Sequence, residues 1–273
     1  MSQTDPTPHP PPRRGEGEPE GRDLTPVSSP ARSGEQEGAV VAIVLGAGQG
    51  TRMGAGRNKV LLTLCGAPIL VHALRAFERA PAVDATLLVA HPDELAMCRA
   101  LLTEYGLVKV SEVIAGGATR HQSEERALAW LRPRIEAGEI ATLLIHDGAR
   151  PLITPDEIAA LIAATAETGG ALLAAPVAPD EMLLMLDDVG RVTRTWPADD
   201  LALAQTPQAF AAQRLLAAYD DARRDGFEGS DTAAAFERAG GLARVVFGSR
   251  ANLKITTPDD LLRAEALLDT RTS

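Results

Sequence analysis

Cysteine and aromatic residues are scarce in this chain of 273 residues: there are two cysteines, and Phe, Trp and Tyr make up 3%. Cys65 and Cys98 have neither metal-ligand nor redox-motif spacing. They read as two reduced thiols of a cytoplasmic protein, which excludes a disulfide scaffold. No run of 18 apolar residues occurs, so no membrane-spanning helix is expected. Arg13 and Arg14 lack the apolar segment that a twin-arginine signal needs. Lysine is nearly missing: Lys59, Lys109 and Lys254 stand against 24 arginines. Where such a chain keeps a lysine, a compact point charge serves better than a guanidinium fork. Positive charge as a whole is in deficit. A net charge of −10 argues against a partner that is nucleic acid or anionic membrane. An anionic substrate must then be met by cations gathered locally.

What is present falls into two parts. Residues 1–38 carry eight of the 19 prolines with Gly, Glu and Ser, and read as a disordered tail. From residue 39 to 273 short apolar strands alternate with helices, which implies an α/β fold with a doubly wound, mostly parallel sheet. The expected strands are Val40–Leu45, Ala85–His91, Val108–Ile114, Ala141 onward, Gly170–Val177, "ARVVFG" and "NLKIT". Ligands in such sheets bind at the carboxyl ends of the strands. "LGAGQG", "HDGARP" and "APV" all fall on that edge. Over about residues 178–200 the rhythm stops. "MLLML" and "RVTRTW" flank a turn at Asp187–Gly190 and predict a protruding β-hairpin arm. Its apolar residues need a partner, so the arm is expected to pack on a second subunit of a homodimer.

The glycine-rich turn after the first strand is tested against two familiar nucleotide motifs. A dinucleotide fingerprint G-x-G-x-x-G fails at Thr51 counted from Gly46, and at Met53 counted from Gly48. The next strand ends at His91, where that motif wants an acid about 20 residues on. A phosphate loop G-x-x-x-x-G-K-[ST] fails because Val60 follows Lys59. What remains is a backbone cradle for phosphate with Arg52 and Lys59 beside it. A triphosphate in such a cradle needs cations for the charge that builds during transfer. A plain glycine turn with two solvated cations is the alternative.

"LGAGQGTRMGAGRNK" resembles the signature of the sugar-phosphate nucleotidyltransferases. "IHDGARP", "LAQTPQAF", "GSDTAA" and "NLKITTPDDL" narrow the resemblance to the methylerythritol 4-phosphate cytidylyltransferase family. It spans about residues 40–268, with the motifs in the family's order and spacing. The resemblance implies that CTP and 2-C-methyl-D-erythritol 4-phosphate are joined, with Mg2+ as cofactor and pyrophosphate released. It implies catalytic roles for Arg52 and Lys59, which hold the triphosphate and stabilise the pentacoordinate phosphorus, and for Lys254, which closes the site from the other side. Ala47, Gly48 and Gly50 would line the nucleotide. Gly117 and Ala118 would meet the cytosine edge, and Ser123 the base or nearby backbone. Asp147 would contact ribose or Mg2+. Arg150 would fork onto phosphate or orient Asp147, and Thr206 would line the acceptor pocket. His146 reads as a packed histidine, because a phosphate monoester attacking near pH 7 needs no base. Asp231 reads as a helix N-cap or as part of the acceptor pocket.

Two departures from the family bear on the acceptor. Asn58 stands where proline usually precedes the lysine, a change expected to alter loop stiffness only. On the arm, Ala198 and Asp180 occupy the positions of the family's arginine and threonine for the acceptor phosphate. Between Ala178 and Asp200 there are six acids against Arg191 and Arg194. Arg194 is the candidate substitute. Three readings follow: methylerythritol phosphate with a rearranged arm, another polyol phosphate, or an inactive homologue with a binding role. An NAD(P) oxidoreductase is the contrasting class.

Overall fold

Ala39–Leu45 (β1) is buried on both faces because alternate side chains feed two different cores. Val40, Ala42 and Val44 pack with Leu70, Leu74 and Phe77 of α1 (Ile69–Arg79) and with Ile158 and Leu161 of α4 (Pro155–Thr168). Val41 and Ile43 pack with Leu128 and Leu131 of α3 (Arg120–Glu136) and with Leu215 and Tyr219 of α5 (Ala212–Arg224). The result is three layers, with helices on both faces of one sheet. The computed structural model describes residues 38–48, 58–178, 180–198 and 201–272. The proline-rich tail lies almost wholly outside the described residues. Among the described residues no helix is long and apolar enough to cross a membrane.

The sheet has seven strands in the order β11–β7–β10–β6–β1–β4–β5. Here β4 is Ala85–Ala90, β5 Val110–Ala115, β6 Ile140–Asp147, β7 Gly170–Pro176, β10 Ala202–Ala211 and β11 Arg244–Phe247. β1 pairs in parallel with β4 and β6 in register Leu45↔Val89 and Leu45↔Asp147, so their carboxyl ends form one edge. The mostly parallel, doubly wound sheet read from the sequence is borne out.

Two elements differ from the sequence reading. β10, which contains Pro207, is not among the strands expected from the sequence. It is antiparallel to both β6 and β7, and its ladder with β7 skips from Ala204 to Gln208. Pro207, which has no N–H to give, sits inside that gap. Conversely "NLKIT" is not a strand. Asn252–Thr256 crosses the end of the sheet as an irregular segment, and Ile255 N–H bonds to Ala149 O at 2.9 Å. Ile255 fills a third small core with Leu64, Ile69, Leu152 and Ala264 of α7 (Pro258–Thr272).

The hairpin arm is present. β8 (Leu183–Leu186) and β9 (Val192–Trp196) form an antiparallel sheet of their own. Asp187 closes the turn by accepting from Val189 N and Arg191 N at 3.1 and 2.9 Å. Leu184 is 49% exposed and its neighbour Met185 50%. Adjacent strand residues face opposite sides, so the hairpin stands clear of the body on both faces. A short peptide ribbon, β2 (Thr63–Leu64) with β3 (Ala67–Pro68), lies before α1.

Candidate active site

β6 ends on Asp147, which is 8% exposed and faces three cations. Lys254 Nζ lies 2.8 Å from Oδ2, Arg120 Nε 3.3 Å from Oδ1 and Arg150 Nε 3.8 Å from Oδ2. Burial alone would raise this carboxyl. The charges of Lys254 and Arg120, with the Lys254 hydrogen bond, outweigh burial and hold it well below the usual carboxylate range. Asp147 is therefore ionised wherever the protein is folded at neutral or mildly acidic pH.

Each cation is itself positioned. Arg150 Nη1 donates to Asn252 O at 2.8 Å. Asn252 is fully buried, and its Nδ2 donates to Gln205 Oε1 at 3.1 Å and to Thr206 O at 2.9 Å. Thr206 O is available because the β10 ladder with β7 is interrupted there. Arg120 also pairs with Glu124 Oε1 at 2.5 Å, one turn along α3. Glu124 is 1% exposed and accepts from Thr232 Oγ1 at 2.7 Å and from the Tyr219 hydroxyl. Burial raises Glu124, and raises Tyr219 above its ordinary value. The two carboxylates thus share one guanidinium between them.

Sequence reasoning missed Arg120 and Glu124. A signal existed: an arginine in the first turn of a helix opposes the macrodipole and asks for a reason. Its partner four residues on completes the pattern.

His146 is fully buried and its Nε2 lies 3.0 Å from Arg150 O. Thr206 Oγ1 accepts from Asp147 N at 3.0 Å and lies 3.2 Å from His146 Nδ1. With the Thr206 hydroxyl donating to Nδ1, and Nε2–H donating to Arg150 O, a neutral imidazole satisfies every group. Burial lowers its pKa to about 4. The packed-histidine reading holds. Thr206 acts here through its hydroxyl on Asp147 and His146.

The candidate base-binding turn follows β5. Gly117 N donates to Ser123 Oγ at 3.0 Å, and Ser123 Oγ donates to Thr119 O at 2.9 Å. Ser123 therefore shapes the turn rather than presenting a free hydroxyl. Ala118 N donates to Gln122 Oε1 at 3.0 Å. A Cβ on Gly117 would lie 2.4 Å from Gln122 Cβ, and one on Gly116 would lie 2.4 Å from Ala47 Cβ. The absence of side chains lets this turn close onto the end of β1. Around Gly48 no described atom lies within 4 Å of such a Cβ.

Gly50 and Arg52 lie outside the described residues. Lys59 opens a single 3-10 turn, Lys59–Leu61, and Val60 beside it is buried in the core. Asn58 does more than alter stiffness. It is 4% exposed, and Nδ2 donates to Gly46 O and to Glu94 Oε2, both at 2.7 Å. It thereby ties the far end of the glycine-rich segment to the end of β1. Asp231 caps α6 (Thr232–Arg238) by accepting from Ala234 N at 3.0 Å, and also accepts from Gln208 Nε2 at 3.1 Å.

A cleft of about 710 Å³ opens beside this cluster. Arg150, Gln205, Arg250, Leu253, Lys254 and Arg263 are among its walls. Arg150 Nε is buried and has no hydrogen-bond partner among the described residues, with Asp147 Oδ2 3.8 Å away. Arg194 is not joined to the cluster within the protomer. Its guanidinium lies 3.6 Å above the Trp196 ring, on the arm.

Among the described residues, no group of three or more His, Cys, Asp or Glu could hold a metal unaided. Asp147, the candidate Mg2+ contact from the sequence, is ionised here, with Lys254 on Oδ2 and Arg120 on Oδ1.

The whole α/β body has relatives. The family model described as "IspD: 2-C-methyl-D-erythritol 4-phosphate cytidylyltransferase" matches residues 40–270. A 2-C-methyl-D-erythritol 4-phosphate cytidylyltransferase of Geobacter metallireducens is 43% identical over 231 residues, 84% of this chain and 97% of that one. One from Acidobacterium capsulatum is 40% identical over 240 residues, 86% and 99% of the two chains. The crystal structure of 4-diphosphocytidyl-2C-methyl-D-erythritol synthase from Anaerococcus prevotii superposes with a TM-score of 0.73. It is 26% identical and covers 86% of this chain and 100% of that one.

Proposed function

The chain belongs to the 2-C-methyl-D-erythritol 4-phosphate cytidylyltransferase family, and we propose that its reaction takes place at the Asp147 cluster. That reaction joins CTP and 2-C-methyl-D-erythritol 4-phosphate into 4-diphosphocytidyl-2-C-methyl-D-erythritol and pyrophosphate, a step of isoprenoid precursor synthesis. The observation that carries the placement is the convergence of Lys254, Arg120 and Arg150 on one buried carboxylate at a central strand's end.

An oxygen of the acceptor phosphate attacks the α-phosphorus of CTP, the bond from that phosphorus to the β-phosphate oxygen breaks, and pyrophosphate leaves. No proton need be removed from the nucleophile, which agrees with a neutral, buried His146. Catalysis is then positioning and charge stabilisation. Backbone N–H groups from Ala47 to Gly50 cradle phosphate, and Gly117 and Ala118 meet the cytosine edge, with Ser123 holding their turn. Arg52 and Lys59 hold the triphosphate, and Lys254 neutralises charge at the α-phosphorus. Asp147 orients Lys254 and Arg120 and binds ribose or Mg2+. When bound, Mg2+ supplies Lewis-acid neutralisation of the phosphate oxygens. Arg150 faces the acceptor, with Thr206 fixing the backbone behind it.

We assign the arm to a homodimer. An isolated two-stranded hairpin is at best marginal in water, and this one exposes Leu184 and Met185 on opposite faces. Arg194 reaches an acceptor only from the arm of a second copy. The two free cysteines, one of them exposed, support a cytoplasmic setting.

The test of the chemistry is isotopic. With 18O in the acceptor phosphate, the label should appear in the diphosphate bridge of the product and be absent from pyrophosphate. Label in the pyrophosphate would reject attack at the α-phosphorus.

A further inference from the structure

The cleft beside Asp147 is unusual for so acidic a protein. Four of its walls are cations, Arg150, Arg250, Lys254 and Arg263, and among the described residues no Asp or Glu lines it. The rest is mainly apolar, from Ala175, Leu203, Leu253 and Leu267. A pocket that is cationic at several points and apolar between them fits a small phosphate ester with a carbon-rich body. Lys254 joins the cleft to the reacting centre, since its Nζ is 2.8 Å from Asp147. The acceptor's phosphate is the nucleophile, so it has to lie at that end of the cleft.

Arg250 and Arg263 belong to none of the shared motifs. Arg263 stands in the second turn of α7 and has no ion-pair partner among the described residues. Arg250 Nη2 is 2.7 Å from Glu181 Oε1, and Glu181 Oε2 accepts from Ala178 N at 2.9 Å at the root of the arm. Both arginines come from the chain's own carboxyl-terminal region, whereas the arm carries Ala198 and Asp180 where cation and hydroxyl were expected.

We propose that Arg250 and Arg263 grip the acceptor's phosphate in cis, from the floor of its own subunit, in place of the arm. The proposal rests on the cytidylyltransferase reading and deepens it. Guanidinium forks are suited to phosphate oxygens, and Arg250 exchanges its Glu181 partner for the substrate dianion.

The test is steady-state kinetics on the full chain with CTP and 2-C-methyl-D-erythritol 4-phosphate, paired with calorimetric binding of that polyol phosphate. Arg263→Ala and Arg250→Ala should each raise the acceptor KM and Kd roughly tenfold, the size of one charge-assisted hydrogen bond. The CTP KM and kcat should stay within twofold. Arg263→Lys should recover part of the loss, which a structural role would not. Arg194→Ala should raise the acceptor KM less than either. An acceptor KM within twofold of wild type in the Arg250→Ala/Arg263→Ala double variant would overturn the proposal. So would an equal rise in both KM values. Wild-type binding of the polyol phosphate without pyrophosphate release would sink the reaction reading and leave the grip to be judged by Kd.

Discussion

Asp147 is 8% exposed and meets three cations within 4 Å, while Leu184, on the arm, is 49% exposed and belongs to a sheet of two strands. The first region is overdetermined. Each cation has its own support: Arg120 from Glu124, Arg150 from Asn252, and Lys254 from the carboxylate itself. The second is held at its turn by Asp187 and at its root by Glu181, and its apolar residues are exposed. The difference teaches a division of labour. Lys254, proposed to act on the transition state, is held on Asp147 at the end of the central sheet before substrate arrives. A surface proposed to join subunits can wait for its packing.

The comparison is broken most sharply by removing a cation from the buried side. Arg120→Ala leaves Glu124 buried without its charge partner and should cost roughly 3–5 kcal/mol of stability in urea unfolding. A loss under 1 kcal/mol would mean that the network relaxes and is not overdetermined. Lys59→Ala should lower kcat by about 10²–10³, the range for removing one group that stabilises transition-state charge, with the melting temperature little changed. Unchanged turnover would remove Lys59 from the chemistry.

His146 gives a pH-dependent test. Its folded pKa, about 4, is below the usual value of 6.5, so the folded state resists the proton that the unfolded state accepts. Its contribution is therefore neutral above pH 6.5 and becomes destabilising as pH falls from 6.5 towards 4. By pH 4 the loss approaches roughly 3 kcal/mol. Wild type and His146→Gln should diverge in stability over that window. Parallel curves would contradict the buried neutral imidazole.

The smallest effect is expected on the arm. Leu184→Asp should change the stability of the isolated protomer by about 0.5 kcal/mol or less, as at other exposed sites. It should also shift sedimentation from dimer to monomer. A large loss of protomer stability would show that the arm packs on its own body.

Legibility did not follow that divide. Strands buried on both faces, such as Val40–Leu45, announce themselves as unbroken apolar runs, and the hairpin arm as two short strands around Asp187–Gly190. Asp147, Arg150 and Lys254 came from motifs and lie together in space. The antiparallel β10 was hidden by Pro207, which argues against a central strand until the ladder gap that accommodates it is seen. "NLKIT" looked like a strand because Leu253 and Ile255 alternate. Ile255 is instead packed in a small side core, and Leu253 faces the cleft. Arg120 and Glu124 were illegible because their meaning is a contact between a helix start and a strand end. Asn58 was underestimated, since its two long-range hydrogen bonds leave no trace in local sequence.

The most direct measurement of the central claim is pyrophosphate release from CTP, with 2-C-methyl-D-erythritol 4-phosphate set against a panel of other polyol phosphates. The account predicts fast release with the methylerythritol phosphate and far slower release with the rest. Release with none of them, or a clear preference for another polyol phosphate, would contradict it.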